Sequence, residues 1–301
     1  MLKLSTRMRI GLVGTGYWAR ETHAVGIDRA PEAMLAAVWG RNGVAANDLA
    51  QRYSVTGYTD FDEFLGEVDG VSFSVPPQVQ APLAVRAATA GKHLLLEKPI
   101  ALDEPAGDEI VASVRASGVA ALVFFTHLFS PPVTEWFRSN DESQWLGGDA
   151  YWLGSALGDD NPFNTPWRRQ YGGLWDVGPH AVADLRRALG PIVKVTADSG
   201  APDVTHLVLH HRSGASSTCT LTLSAPAAAD GFTMMLWGET GRSHLPIAEV
   251  DSQEAHTVAV QDLIALARSG GREHPANLAT GRDVLRILAA AQRQLDTRSG
   301  A

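Results

Sequence analysis

Short apolar runs alternate with amphipathic stretches through the first 125 residues. Met8–Val13 reads as a buried strand, residues 35–39 as a second, and residues 70–75 as a third, closed by Pro76 and Pro77. His93–Leu96 makes a fourth and residues 119–125 another. Between them, residues 44–53, 81–90 and 105–117 carry helical spacing, and Gly91 stands where a left-handed cap would close the second of these. Strands that alternate with helices predict a parallel sheet with right-handed crossovers. After about residue 125 the pattern changes. Strand-like runs at 150–157, 193–198, 205–211, 216–224 and 232–237 follow one another with little helix between them. The third and fourth of these flank a turn at Gly214, a hairpin signal, so this half reads as a mostly antiparallel sheet. Helical spacing returns at 258–267 and 277–295, and residues 297–301 are expected to fray. The organisation expected is an α/β domain over residues 1–125 and a second, α+β domain over residues 126–301.

Length and composition agree with two folded cores: 301 residues, 45% hydrophobic and 19% charged. The net charge of −8, from 33 acidic and 25 basic side chains, repels phosphate backbones and argues against nucleic acid as a partner. It leaves room for a phosphorylated cofactor, because one arginine or a helix N-terminus can hold phosphate inside an acidic protein. Cys219 is the sole cysteine, so no intrachain disulfide can form, and it reads as a small buried strand residue. No apolar run approaches the roughly 18 residues that span a bilayer. The basic start, Met1 to Arg9, leads into a glycine-rich turn rather than an apolar leader. The expected location is the cytoplasm, with no membrane partner.

The first strand runs into Gly14-Thr15-Gly16-Tyr17-Trp18-Ala19, the G-x-G-x-x-G/A fingerprint in its Ala-ended form. Gly14 permits the tight turn, Gly16 lets the backbone approach a pyrophosphate, and Ala19 allows close helix–strand packing. The following helix N-terminus then faces the anion. An NAD binder usually carries an acid at the end of the second strand to hold the ribose 2′-hydroxyl. Here the chain reads Gly40-Arg41-Asn42. A small residue leaves space for a 2′-phosphate, Arg41 can pair with it, and Asn42 can add a donor. NADP(H) is therefore favoured and NAD(H) possible; the competing reading makes Arg41 a surface arginine in a turn.

Further motifs follow in order: Ser74-Val75-Pro76-Pro77, Glu97-Lys98-Pro99, Trp167-Arg168, and Gly172-Gly173-Leu174-Trp175-Asp176-Val177-Gly178-Pro179-His180. With the glycine loop, this set resembles the Gfo/Idh/MocA family: glucose–fructose oxidoreductase, inositol dehydrogenase and rhizopine catabolism. The resemblance runs from about residue 8 to residue 295. It implies a Rossmann domain and a C-terminal domain with an open, mainly antiparallel sheet that often makes subunit contacts, hence a homo-oligomer, dimer or tetramer. It implies a nicotinamide above the ends of the parallel strands, near Ser74, Val75, Pro76 and Glu97. Lys98 matches the family's active-site lysine, Pro99 a proline that is often cis, Asp176 and His180 the polar pair of the second motif, and Trp167 and Arg168 a segment that often lies near the cofactor. Many relatives carry histidine where this chain has Gln80.

Moving a hydride between a carbinol carbon and nicotinamide also moves a proton on or off the oxygen. His180 is the natural carrier, since its unperturbed pKa lies near neutrality. Lys98 can donate to the same oxygen and stabilise alkoxide charge. Asp176 lies four residues before His180, and on one helix both would share a face, letting Asp176 hold a substrate hydroxyl or bias the histidine. The expected substrates are sugars, cyclitols and related hydroxy or keto compounds. Three alternatives stand beside this: a nicotinamide-dependent glycosidase-type enzyme, a ligand sensor without catalysis, and redox chemistry on another small molecule such as a diol or tetrapyrrole. His210 and His211 are strand neighbours and must face opposite ways, the other histidines lack metal-ligand spacing, and no metal is expected. Trp145, Trp152, Trp167 and Trp175 are candidates to line a cleft or to pack a core, and Phe163 and Asn164 are candidates for a lid.

Overall fold

The computed structural model describes residues 7–140 and 145–299. The first part of the basic start, Met1 to Ser5 and Thr6, lies outside them, as do Gly300 and Ala301 of the expected fraying tail. The chain divides into two compact units, and they are not two consecutive stretches. Unit 1 holds residues up to Ser130 together with Asp251–Arg282, and unit 2 holds Pro131–Val250 and the chain from Asp283 onward.

In unit 1, β1 (Met8–Val13), β2 (Ala33–Trp39), β3 (Thr56–Tyr58), β4 (Gly70–Phe73), β5 (His93–Leu96) and β6 (Ala121–Val123) form one sheet. Its order is β3-β2-β1-β4-β5-β6 and every neighbouring pair is parallel. This is the doubly wound order that binds ligands beyond the carboxyl ends of its strands, where the order reverses between β1 and β4. All four residues of β4 are buried, which is why such strands read as continuous apolar runs rather than alternating ones. The helices are α1 (Ala24–Arg29), preceded by a π-helical turn at Ala19–His23, then α2 (Gly43–Gln51), α3 (Phe61–Gly66), α4 (Pro77–Thr89) and α5 (Glu104–Ser117). Side chains of Asn42, Asp60 and Asp103 accept the first orphan N–H groups of α2, α3 and α5. Gly91 takes a positive φ of 74° just past α4, as its position predicts.

Unit 2 contains α6 (Pro131–Ser139), β7 (Trp145–Leu153), α7 (Pro166–Asp176), α8 (Gly178–Leu189), β8 (Ile192–Gly200), β9 (Val204–His211), β10 (Ser216–Thr222), β11 (Gly231–Gly238) and β12 (Gly241–His244). The expectation of little helix here is corrected by α6, α7 and α8. Their prolines and glycines look like loop punctuation, but Pro131, Pro166 and Pro179 occupy first turns, where a missing N–H costs nothing. The sheet order is β12-β11-β7-β10-β9-β8, with β7 and β10 parallel and the other pairs antiparallel. β9 and β10 form the expected hairpin. One face of the sheet packs on α7 and α8, so β9 alternates buried and exposed residues and turns His211 inward and His210 outward.

After unit 2 the chain supplies α9 (Ser252–Ser269) to unit 1, and α10 (Leu278–Ser299) contains the boundary between the two units. α10 runs through residues 297–299, where fraying was expected. Among the described residues, no helix is long and apolar enough to cross a membrane.

His256 on α9 is fully buried, with its ring 4.2 Å from that of His23 and 4.9 Å from that of Phe124. Burial first, and His23 second, hold its pKa well below the ordinary value of 6.5. The folded protein keeps it neutral while the unfolded chain protonates it, so this histidine withdraws stability as pH falls below about 6.5. The expected slope is about 1.4 kcal/mol per pH unit until the folded-state pKa is reached. Urea unfolding from about pH 7 to pH 5 should show that slope reduced in His256→Gln. Equal slopes in the two proteins would assign the acid sensitivity elsewhere.

Candidate cofactor and catalytic site

β1 delivers the chain into the glycine loop. The Gly14 N–H donates to the Trp39 carbonyl at 2.9 Å. Gly14 has φ +128°, and a Cβ there would lie 2.3 Å from the Ser74 carbonyl oxygen, so only glycine fits. A Cβ on Gly16 would meet nothing within 4 Å. The backbone is open there to a phosphate, and the helix that begins at residue 17 turns its N-terminus to the same place. Arg20 braces the loop by donating to the Thr15 carbonyl at 2.9 Å. These features fit the pyrophosphate of a dinucleotide.

Gly40 follows β2 and is buried, its N–H bonded to the Tyr58 carbonyl at 3.0 Å. A Cβ there would come within 2.7 Å of the Thr15 methyl group, so even a small side chain would push on the loop. Arg41 is exposed. Asn42 is drawn into α2: its side-chain oxygen accepts from Val44 and Ala45 at 3.0 and 3.2 Å. Any donation to a ligand therefore falls to its Nδ2 alone. Ser74 bonds back to Val13 at 2.8 Å, and Val75 and Pro76 lead into α4.

Lys98 sits just past β5, with a cis Lys98–Pro99 bond. The fully buried Gln80 holds this loop by its backbone. Its amide donates to the carbonyls of Glu97 (2.8 Å), Pro99 (3.3 Å) and Ile100 (3.3 Å), and its oxygen accepts the Glu97 N–H at 2.8 Å. A neutral imidazole, with one donor and one acceptor, could not make this set. The departure at Gln80 is thus a backbone clamp. Glu97, expected beside the cofactor, turns into the protein: it accepts from Trp18 Nε1 at 2.8 Å, lies 3.1 Å from His23 Nε2, and accepts the Lys98 N–H at 3.0 Å.

In unit 2, Thr165 caps α7, which carries Trp167 and Arg168. Arg168 Nε donates to Asp176 Oδ2 at 2.7 Å, and its guanidinium lies 5.0 Å from the centre of the Phe163 ring. The structure therefore joins Arg168, Asp176 and Phe163, three residues that the sequence suggested for different tasks. Gly172 turns the helix with φ 62°, and Gly173 lets it approach β10, since a Cβ there would lie 2.8 Å from the Thr222 nitrogen. Asp176 ends α7 and His180 lies in the first turn of α8. The expected single helix is interrupted at Val177, because Pro179 has no N–H to continue the ladder. His180 is buried and stacks on Trp152 at 5.3 Å, with Trp152 backed by Phe232 at 4.6 Å. Trp175 instead serves the core, donating to Gln292 at 2.8 Å. Trp145 is also buried, and Trp167 lies 5.8 Å from the Arg168 guanidinium. Asn164 is tied down by bonds to the carbonyls of Leu157 and Gly158 and from Arg169. Burial drives the Cys219 thiol far up its pKa scale, leaving it inert.

His23 and His256 have no spacing relation in the sequence, and Gln80 stands there only as a departure from the family pattern. A buried polar side chain bonded to a motif's backbone leaves no signature in a single chain.

Residues 8–125 match the Gfo/Idh/MocA family model, an oxidoreductase family with an NAD-binding Rossmann fold. The dehydrogenase FPY6 of Fusarium mangiferae is 32% identical over 215 residues, 60% of this chain and 58% of that one. The chain spans about three fifths of the length of such curated relatives. GenD2 from gentamicin A biosynthesis, solved in complex with NAD, superposes with a TM-score of 0.84 at 21% identity, covering 98% of this chain and 95% of that one. A putative myo-inositol dehydrogenase from Sinorhizobium meliloti 1021 gives 0.83 at 21% identity, covering 97% and 98%. At those identities the likeness is one of fold.

Proposed function

We propose, on the match of residues 8–125 to the Gfo/Idh/MocA oxidoreductase family with its NAD-binding Rossmann fold, that the chain is an NAD(P)-dependent dehydrogenase or ketoreductase acting on a CH–OH group. The substrate class proposed is a sugar, a cyclitol or a related hydroxy or keto compound. The observation that carries the reading lies within unit 1. A loop fitted to a pyrophosphate and a backbone-clamped Lys98 stand at the carboxyl ends of strands in one parallel sheet.

When bound, the nicotinamide takes or gives the hydride. Lys98 donates a hydrogen bond to the reacting oxygen and stabilises charge developing on it. His180 carries the proton. Asp176, paired with Arg168, is the polar group assigned to a substrate hydroxyl. The test is an absorbance screen of sugars, inositols and keto-sugars with added NAD and NADP. A stoichiometric change in reduced nicotinamide supports the reading, and conversion of a substrate without any change would favour transient oxidation instead.

NADP(H) is the preferred cofactor in this proposal. Gly40 presents no acid to repel a 2′-phosphate, and Arg41 is exposed beside it with a planar fork to pair with one. One charge-assisted hydrogen bond, about 1.5–3 kcal/mol, corresponds to roughly 10- to 150-fold discrimination. The expected result is a kcat/KM ratio favouring NADP that collapses in Arg41→Ala. Gly40→Asp should reverse the preference, with Gly40→Ala as the control for crowding against Thr15. A native preference for NAD, or an Arg41→Ala ratio equal to the native one, would refute it.

The occupant proposed for the open face of the unit 2 sheet is a second copy of the chain. By strand register Tyr151, Val208 and Trp237 share that face, each more than a third exposed. The protein is proposed to act in the cytoplasm, consistent with a lone cysteine that is buried.

A further inference from the structure

Trp18 and His23 are five residues apart. On an α-helix that spacing would separate them by about 140°. The intervening turn, Ala19–His23, is π-helical, and the wider turn brings residues five apart onto one side. Both side chains consequently reach the same atom: Trp18 Nε1 lies 2.8 Å and His23 Nε2 3.1 Å from Glu97 Oε1. The other oxygen of that carboxylate accepts the Lys98 N–H at 3.0 Å. One buried carboxylate thus holds the helix that begins at the glycine loop and the loop that carries Lys98.

The polarity of the surrounding bonds follows from Glu97. A carboxylate only accepts, so His23 presents N–H at Nε2, and the neutral ring then has its lone pair at Nδ1. The Ser72 hydroxyl, 2.9 Å away, donates to that lone pair and accepts from His256 Nε2 at 3.1 Å. His256 Nδ1 is buried with no hydrogen-bond partner among the described residues. Among the described residues the row of donors ends at His256, and its effect is to fix the His23 ring.

We infer that Glu97 is a positioning residue that couples the glycine-loop helix to the Lys98 backbone, so that a dinucleotide on the loop sets the placement of the Lys98 amine. This rests on the reading of Lys98 as the group that polarises the reacting oxygen. Gln80 fixes the loop from one side whatever the state of the glycine loop; Glu97 is the tie that reports it.

The chain has four lysines, Lys3, Lys92, Lys98 and Lys194, so reductive ¹³C-methylation yields few NMR signals and Lys98→Arg assigns the one of interest. In the native protein, NADPH or NADH is expected to move the Lys98 signal and leave Lys92 and Lys194 in place. Glu97→Gln should shift the Lys98 signal of the apo protein and abolish its response to dinucleotide. The charge-neutral changes decide the matter. Trp18→Phe and His23→Leu should also abolish the response, and His23→Gln, which keeps an N–H at similar reach, should restore it. If Glu97→Gln fails to fold, Trp18→Phe, the loss of one N–H from a half-buried ring, carries the test. A Lys98 response that persists in Trp18→Phe and His23→Leu overturns the inference, as does His23→Gln behaving like His23→Leu. Failure of the native protein to bind either dinucleotide would overturn the functional reading instead, and the apo Lys98 signals of the same variants would still judge the tie.

Discussion

Replacing His180 by alanine is expected to lower kcat by about 10²- to 10⁴-fold and to remove the near-neutral limb of the pH–rate profile. The proton that accompanies hydride transfer needs a carrier whose pKa lies near the working pH. The proposal gives that task to His180, which packing holds in place. It occupies the first turn of α8, is buried, and has its ring against Trp152, which Phe232 supports in turn. Thermal unfolding of the variant separates loss of the imidazole from loss of its packing against Trp152. Asp176→Asn is expected to be milder, because Arg168 already engages the Asp176 carboxylate at 2.7 Å and an amide can keep one of its contacts. The measurements are kcat and kcat/KM across the pH range for native and variant proteins. An unchanged profile in His180→Ala would transfer the proton to Lys98 or to water.

Lys98→Ala is expected to abolish most turnover while dinucleotide binding survives. Losing a charged donor aimed at developing negative charge costs about 3–4 kcal/mol, on the order of 10²–10³ in rate. Survival of binding follows from the way the loop is held. Gln80 bonds the backbone of Glu97, Pro99 and Ile100, and Glu97 bonds the backbone N–H of residue 98, so none of these contacts uses the lysine side chain. Fluorescence titration with reduced cofactor, set beside kcat, separates the two effects. Near-native kcat would remove Lys98 from the chemistry, and lost binding would make it a cofactor ligand first.

What the sequence disclosed follows burial. β1 and β5 were legible to the residue, because their buried stretches, residues 10–13 and 94–96, are covered on both sides and carry no polar side chain. β3 and β12 were not: Thr56–Tyr58 is only three residues long, and Gly241–His244 is a largely exposed strand with no apolar pattern. In the site, the glycine loop and the motifs around Lys98 and His180 were legible because their chemistry is local in sequence. The partners that hold them are distant. Gln80 meets Glu97 from 17 residues away, and Ser72 meets His256 across 184. The π turn at Ala19–His23 was illegible too, since the carboxylate on which its side chains converge lies in the loop after β5, more than 70 residues along the chain.

The return of Asp251–Arg282 to unit 1 has a consequence for the order in which the protein is made. When a ribosome has released Ser130, all six strands of the dinucleotide-binding sheet exist, but α9, which packs on α1, β5 and β6, has yet to be synthesised. At about 5–20 residues per second that helix arrives some 7–30 seconds later. Until then the nascent sheet presents bare apolar surface, and His23 and Ser72 lack their neighbour His256. The N-terminal half is thus the first to be translated but cannot be the first to be finished. Chaperones that shield emerging chains would find their longest-lived exposed surface where α9 will dock.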